Sequence, residues 1–295
     1  MYVITGATGN TGKPITLALL EAGKQVRIIS RDPAKAKDLT DKGAELFVGE
    51  TTDAELLKKA FDGATAVYAM IPIDWQTDDY TAHQVKHAEA IAEALEYCKV
   101  PYVVSLSSQG AHLESGSGVV LGLHKMEKRF DAIPGLNTLH LRPTYFMENT
   151  LGMIDLIKQA GIMGSPVRAD LRFPVIATRD IAAYAAKRLL ALDFSGHNLQ
   201  DLLGARDVTY PEMAKVYGAA IGKPDLQYVE FPYDDFRKAM LEQMGSSESV
   251  ADNMIEFIKA MNAGKVLEKA KRDAESTTPT SIEDFAQVFA QVSHG

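Results

Sequence analysis

The sequence predicts a doubly wound parallel α/β sheet carrying a smaller, mainly helical C-terminal lobe. Three observations predict it. A short β-prone run at 2–4 is followed by Gly6, Gly9 and Gly12 and then by an apolar stretch from Ile15 to Leu20. Short apolar runs then alternate with helix-length segments as far as Leu141, the rhythm of strands joined by crossover helices. From about Pro224 that rhythm gives way to helices and loops.

The opening stretch MYVITGATGNTG reads as strand, glycine turn and helix. A diphosphate needs a tight turn, a backbone it can approach closely and free N–H groups at a helix N-terminus. Glycines between a strand and a helix offer all three, against the alternative of a plain turn. Gly6, Thr8, Gly9, Asn10, Thr11 and Gly12 are therefore the expected dinucleotide-binding residues. The helix runs to about Ala22 and stops at Gly23, with Pro14 in its first turn, where a missing N–H costs little. The second strand is QVRIIS at 25–30. In a dinucleotide fold the end of this strand faces the adenine ribose, where an acid binds the 2′-hydroxyl and an arginine accepts a 2′-phosphate. Arg31 stands there, and its guanidinium can fork onto phosphate oxygens, so NADP(H) is the expected cofactor. Asp32 either caps the next helix together with Pro33 or, one residue out of register, becomes the ribose ligand.

AELFV at 44–48 is the third strand, and Thr52 or Asp53 caps a helix through Phe61. ATAVYAMI at 64–71 is the fourth, nearly all apolar as a strand covered on both faces should be. Pro72 and a polar loop follow, then a helix from about Asp79 to Cys98 and a fifth strand, PYVVSL at 101–106. Ligands of such a sheet gather at the carboxyl ends of its strands. That places Gly6–Gly12, Arg31, Ile71–Asp79 and Ser107–His112 around one cleft, with Ile71 and Ser107 as expected cofactor contacts. Trp75, the only tryptophan, either stacks on a flat substrate or anchors the loop.

The segment 107–130, SSQGAHLESGSGVVLGLHKMEKRF, holds the candidates for proton chemistry. Lys125 can bond the nicotinamide ribose or donate a proton, and His124 can be the acid, since an imidazole titrates near neutrality. Neighbours on a helix diverge by about 100°, so only one of the two can face fully into the cleft. Both have a plain reading as surface residues. No tyrosine lies four residues before Lys125, where Leu121 stands. The tyrosine–lysine pair of many reductases of this fold is thus absent in its usual spacing. Hydride transfer needs no such base, because the cofactor carries that chemistry. Conjugated acceptors such as quinones or dyes can take hydride and collect a proton from water.

TLHL at 138–141 is the sixth strand. Thr150–Ala160 and Asp180–Leu192 read as helices, the second capped by Asp180 and packed back on the sheet, and 198–203 adds a strand. Tyr210–Ile221 is a helix ending at Gly222. The expected division is a cofactor domain over 1–150, with 175–205 packing back onto it, and a smaller substrate lobe over 206–295 with part of 151–174. That lobe carries Phe231, Met240 and further aromatics and methionines, which suit either a core or a pocket for flat hydrophobic molecules. A segment at 248–259 after Gly245, Ser246 and Ser247 reads as a movable lid, and Ser281 with Asp284 as a capping box.

Composition narrows the function. A net charge of −8 over 295 residues offers nucleic acid or an anionic membrane no basic surface. Cys98 is the single cysteine, which excludes an internal disulfide and fits a reducing compartment. The seven histidines lack carboxylates at ligand spacing, so no metal is expected. There is no apolar run of membrane-spanning length and no signal-peptide pattern, so the expectation is a cytoplasmic monomer or homodimer.

The stretches GATGNTG (6–12), SRDP (30–33), SSQGA (107–111), HKME (124–127), LRPTYFMEN (141–149), VIATRDIA (175–182) and PTSIEDF (279–285) together resemble the NmrA-like branch of the atypical short-chain dehydrogenase/reductases. The resemblance implies a Rossmann fold, a pyrophosphate on the first stretch, a 2′-phosphate on Arg31, and a nicotinamide pocket lined by Thr144, Tyr145 and Phe146. Tyr145 is expected to touch substrate as well, with Trp75, Phe231 and Met240. The branch's helix lysine or histidine falls at Lys125 or His124. The branch includes reductases of quinones, azo dyes and triphenylmethane dyes as well as cofactor-sensing regulators. The implied function is an NADPH-dependent reductase of a small, hydrophobic aromatic acceptor. The alternative is a non-catalytic NAD(P) sensor acting through a protein partner.

Overall fold

Strand and helix alternate from the first residues. The computed structural model describes residues 1–294. The first half runs β1 (Tyr2–Ile4), α1 (Gly12–Glu21), β2 (Val26–Ser30), α2 (Pro33–Thr40), β3 (Glu45–Val48), α3 (Ala54–Phe61), β4 (Ala66–Ala69), α4 (Tyr80–Tyr97), β5 (Tyr102–Leu106), α5 (Leu121–Asp131) and β6 (Asn137–Pro143). The second half runs β7 (Tyr145–Phe146), α6 (Ile154–Ala160), β8 (Ile162–Ser165), β9 (Phe173–Ile176), α7 (Thr178–Ala191), β10 (His197–Leu202), β11 (Asp207–Val208), α8 (Tyr210–Ala220), β12 (Gln227–Glu230), α9 (Tyr233–Glu242), α10 (Glu248–Asn262) and α11 (Ile282–His294).

Seven strands pair in the order β10-β6-β5-β4-β1-β2-β3. Every pairing in that sheet is parallel, with Tyr2 opposite Val26 on one side and Ala66 on the other. The chain winds outward from β1 in both directions, so the fold is the doubly wound α/β sheet. A parallel strand covered on both faces needs apolar residues throughout, and β1 and β4 are buried at every position. One core, with Ile15, Leu19 and Ile181, lies between the sheet and helices α1 and α7. Another, with Leu57, Ile91, Leu95, Met126 and Phe130, lies under α3, α4 and α5. Asp32, Asp53 and Asp79 cap α2, α3 and α4 through backbone N–H groups.

A further core joins Met147, Ile157, Phe173 and Val175 to Tyr210, Tyr217, Ile258, Phe285 and Phe289. The C-terminal lobe is not purely helical. β7, β9 and β11 form a three-stranded sheet, and β8 pairs parallel with β12. Residues 147–153 are a 3-10 turn rather than the start of α6. Asp180 does not cap α7. It lies inside the helix, buried, and accepts from Thr280 N–H and Oγ1 at 2.9 and 2.7 Å. The first turn of α7 is served instead by Glu148, which accepts from Thr178 N–H at 2.9 Å and from its hydroxyl at 2.6 Å. The 141–149, 175–182 and 279–285 segments are thereby tied in series. Asp180→Ala is expected to cost about 2 kcal/mol by orphaning the Thr280 donors, read as a lowered urea midpoint with unchanged slope. Ser281 and Asp284 form the expected reciprocal capping box ahead of α11.

Candidate active site

Thr5 fixes where the glycine turn begins. Its hydroxyl donates to Met70 O at 3.0 Å and accepts from Met70 N–H at 2.7 Å, stitching the ends of β1 and β4 together. Gly6 has φ +61°, a backbone region that side chains rarely adopt, and Gly9 N–H closes the turn on Gly6 O at 3.0 Å. At Gly12 a Cβ would sit 2.2 Å from Gly6 O, so α1 can leave the turn only on a glycine. Tyr68 donates to Thr11 Oγ1 at 3.0 Å, and α1 has no side-chain cap at its N-terminus. A bare helix start behind a glycine turn fits a diphosphate. Thr8 and Asn10 lie in the same turn, Asn10 exposed.

At the end of β2, Ser30 and Asp32 settle the register. Ser30 Oγ bonds the Asp32 backbone, and Asp32 Oδ1 accepts from Ala34 and Lys35 N–H, so Asp32 is a cap. Arg31 projects into solvent with 70% of its side chain exposed, its nearest acid Glu50 at 3.9 Å. Beneath this corner His87 is buried, with Nδ1 2.7 Å from Thr51 Oγ1 and its ring against that of His83. Burial first, and then the positive charge of His83, Lys86 and Arg31 against a smaller opposing effect of Asp74, push His87 down to about 4. An unfolded imidazole takes its proton near pH 6.5, and the native one holds out to about pH 4. Stability is therefore full above pH 6.5 and is lost as pH falls toward 4, by about 3 kcal/mol. His87→Asn should flatten that part of a denaturation-versus-pH curve.

Ile71 is buried just past β4, and the loop after it is pinned from the other lobe. Ser247 N–H donates to Trp75 O at 2.9 Å, Ser247 Oγ donates to Thr77 O at 2.6 Å, and Tyr80 N–H donates to Ser249 Oγ at 3.0 Å. Ser247 also caps α10. The segment read as a movable lid is thus a capped helix hydrogen-bonded to the cleft rim. Trp75 is 43% exposed, so its carbonyl rather than its ring carries the anchoring.

Ser107 follows β5, with its N–H on Leu141 O. Its hydroxyl donates to Glu127 of α5 at 2.5 Å, and the two oxygens of Glu127 accept from Arg142 Nε and Nη2 at 2.9 and 2.5 Å. This buried triplet was not foreseen from the sequence, where twenty and fifteen residues separate the partners. The face of α5 toward β6 and β10 borders a polar cavity of about 370 Å³ that includes His112, His124, Glu127 and Asp131 in its lining. His124 Nδ1 lies 2.8 Å from Ala111 O, facing the 107–112 loop. Lys125 is exposed, on the face of α5 shared with Arg129, which pairs with Glu89 and Glu96 of α4. The helix phase therefore brings His124, and not Lys125, to the loop.

Thr144 is buried, its hydroxyl on Pro174 O at 2.7 Å. Tyr145 packs edge-on against Phe173 and Tyr210, and burial pushes its phenol well above the ordinary range. Phe146 is half-buried against the sheet core. Two expected substrate residues are packed against other elements. Met240 is 1% exposed and packs with Tyr80, Val250 and Ala251, its flexible thioether filling the joint between α9, α10 and α4. Phe231 covers Gly164, where a Cβ would meet its ring at 2.2 Å, so it closes β8. Among the described residues there is no group of three or more His, Cys, Asp or Glu arranged to hold a metal. No helix among them is long and apolar enough to cross a membrane.

An NAD(P)H azoreductase of Xenophilus azovorans is 28% identical over 259 residues, covering 87% of this chain and 86% of the relative. Among solved structures, an NADPH-dependent quinone oxidoreductase of Escherichia coli complexed with NADPH aligns with a TM-score of 0.80 at 21% identity, over 100% of this chain and 99% of that one. A Citrobacter sp. triphenylmethane reductase complexed with NADP(H) gives 0.81 at 18% identity, over 98% and 100%. At these identities the structures establish a common fold. The NmrA-like family profile matches residues 2–286, and by that match the chain belongs to the NmrA-like family.

Proposed function

We propose that this protein is an NADPH-dependent reductase that delivers hydride to a conjugated hydrophobic acceptor, a quinone or an azo or triphenylmethane dye. The observation that carries the reading is the uncapped start of α1 behind a glycine turn that tolerates no Cβ at Gly12, with Arg31 exposed at the end of β2. The kinds of reductase found among its relatives support it.

In this reading Gly6, Thr8, Gly9, Asn10, Thr11 and Gly12 hold the diphosphate, and Arg31 holds the 2′-phosphate. Ile71 and Ser107 border the nicotinamide half, and Thr144, Tyr145 and Phe146 shape the far wall. The reduced nicotinamide supplies the hydride. Trp75 offers a flat apolar face to a planar acceptor at the rim. His124 keeps its Nδ1 proton on the Ala111 carbonyl, so the ring can donate a proton from Nε2 only as an imidazolium.

The test is NADPH absorbance decay with a panel of quinones, azo dyes and triphenylmethane dyes, with NADH in parallel. Turnover with one class and preference for NADPH are expected. Tight NADPH binding without turnover across the panel would replace the reductase with a cofactor sensor. Arg31→Ala should raise the KM for NADPH about tenfold, the worth of one charge-assisted contact, and leave that for NADH unchanged. Equal effects on both cofactors would remove the 2′-phosphate from Arg31.

A further inference from the structure

A serine hydroxyl has one proton and two lone pairs, so where its proton goes decides what it can offer a ligand. Ser107 Oγ gives its proton to Glu127 Oε1 at 2.5 Å. Glu127 cannot return one. Arg142 Nε donates to Oε1 at 2.9 Å and Nη2 to Oε2 at 2.5 Å, so both carboxylate oxygens already accept from a guanidinium. The pair is shielded, with 8% of the Glu127 side chain and 13% of that of Arg142 exposed. Gln109 fixes the arginine's backbone from beneath, its Nε2 donating to Arg142 O at 2.8 Å. The polarity of the hydroxyl is built into the fold.

We infer that Ser107 is a hydrogen-bond acceptor, held so by Glu127 and Arg142, and that it orients the cofactor by taking an N–H from the nicotinamide carboxamide. The inference rests on the NADPH reading above and adds to it the direction of one bond and a positioning role for Glu127. Ser107 stands at the carboxyl end of β5, where ligands of a doubly wound sheet gather. A substrate carbonyl there would meet lone pairs and gain nothing. The carboxamide carries the donor that such a group can use. It follows that Ser107 does not supply the proton that accompanies hydride.

The test compares NADPH with its 3-acetylpyridine analogue, in which a methyl replaces the carboxamide amino group. Dissociation constants are measured on the intact protein by quenching of its fluorescence. Ser107→Ala should weaken NADPH at least fivefold and change the analogue less than twofold. Glu127→Gln should produce the same selective loss, because its amide N–H can turn the serine into a donor, and the double variant should lose no more than Ser107→Ala alone. A merely structural Glu127 would weaken both cofactors alike. Equal losses for the two cofactors, or none for either, overturn the assignment. Ser107→Ala removes one small buried hydroxyl and leaves the ion pair whole, so the comparison stands even if Glu127→Gln fails to fold. Failure of the unsubstituted protein to bind NADPH would instead defeat the cofactor reading, and this assignment with it.

Discussion

Gly12→Ala is expected to destabilise the protein by about 3 kcal/mol and to weaken NADPH more than about tenfold. The added Cβ meets Gly6 O at 2.2 Å, Gly6 C at 2.8 Å and Ala7 Cα at 2.9 Å. All three are backbone, so no side chain can rotate away. The turn must open or α1 must slide, and either displaces the N–H groups proposed to hold the diphosphate. Gly152→Ala is the control, since a Cβ there meets nothing within 4 Å. Thermal unfolding with and without NADPH separates the two effects. Gly12→Ala should lower the midpoint without ligand and nearly abolish the upward shift with it, whereas Gly152→Ala should leave both intact. A normal ligand shift in Gly12→Ala would mean that the diphosphate does not rest on this turn.

Arg142→Met should be at least as damaging to the fold. It leaves the Glu127 carboxylate buried with only the Ser107 hydroxyl against it, and stranding one member of a buried pair costs about 3–5 kcal/mol. The double substitution Glu127→Leu with Arg142→Met should recover most of that loss, because apolar groups of similar volume need no desolvation. Urea unfolding of the set gives the answer in the midpoints. A double variant no better than Arg142→Met alone would show that the guanidinium's packing, rather than its charge, is what the site needs.

What the sequence made legible was short-range. The alternation of β1 to β6 with their helices follows from local periodicity. Asp32, Asp53 and Asp79 act as caps because each lies within three residues of the N–H groups it serves. The same holds for Ser281 with Asp284. The misses are contacts between distant segments. β8 and β12 are four-residue strands whose partners lie 65 positions apart, Ile162 opposite Gln227, and neither makes a pattern alone. Asp180 reads as a cap from its place beside a helix start, yet its partner is Thr280. Met240 carries no mark that distinguishes core from pocket, and only the closeness of Tyr80 and Val250 decides it. Which of His124 and Lys125 faces the 107–112 loop is set by helix phase, and reading it needs the position of Ala111. In the candidate site, the glycine turn and Arg31 were readable from residue type and order, whereas the Ser107–Glu127–Arg142 triplet needed the fold.

The way the chain distributes itself between its cores limits how the molecule can move. Most buried apolar residues up to Leu141 belong to the sheet cores, Tyr80 packing instead with Met240 and Val250; Met147 to Val175 belong to the lobe, most from Ile176 to Leu202 to the sheet again, and Val208 to Phe289 largely to the lobe once more. The backbone thus crosses the boundary three times, and the hydrogen bonds that Ser247 donates to the 75–80 segment and Ser249 accepts from it clasp it from outside. A hinge works when few strands cross and each can absorb a large backbone rotation. Here three crossings and a clasp would have to turn together. The lobe and the sheet are therefore joined by three crossings and a clasp rather than by a single link, with Ile73, Trp75 and Met244 exposed on or beside the segments that the clasp joins.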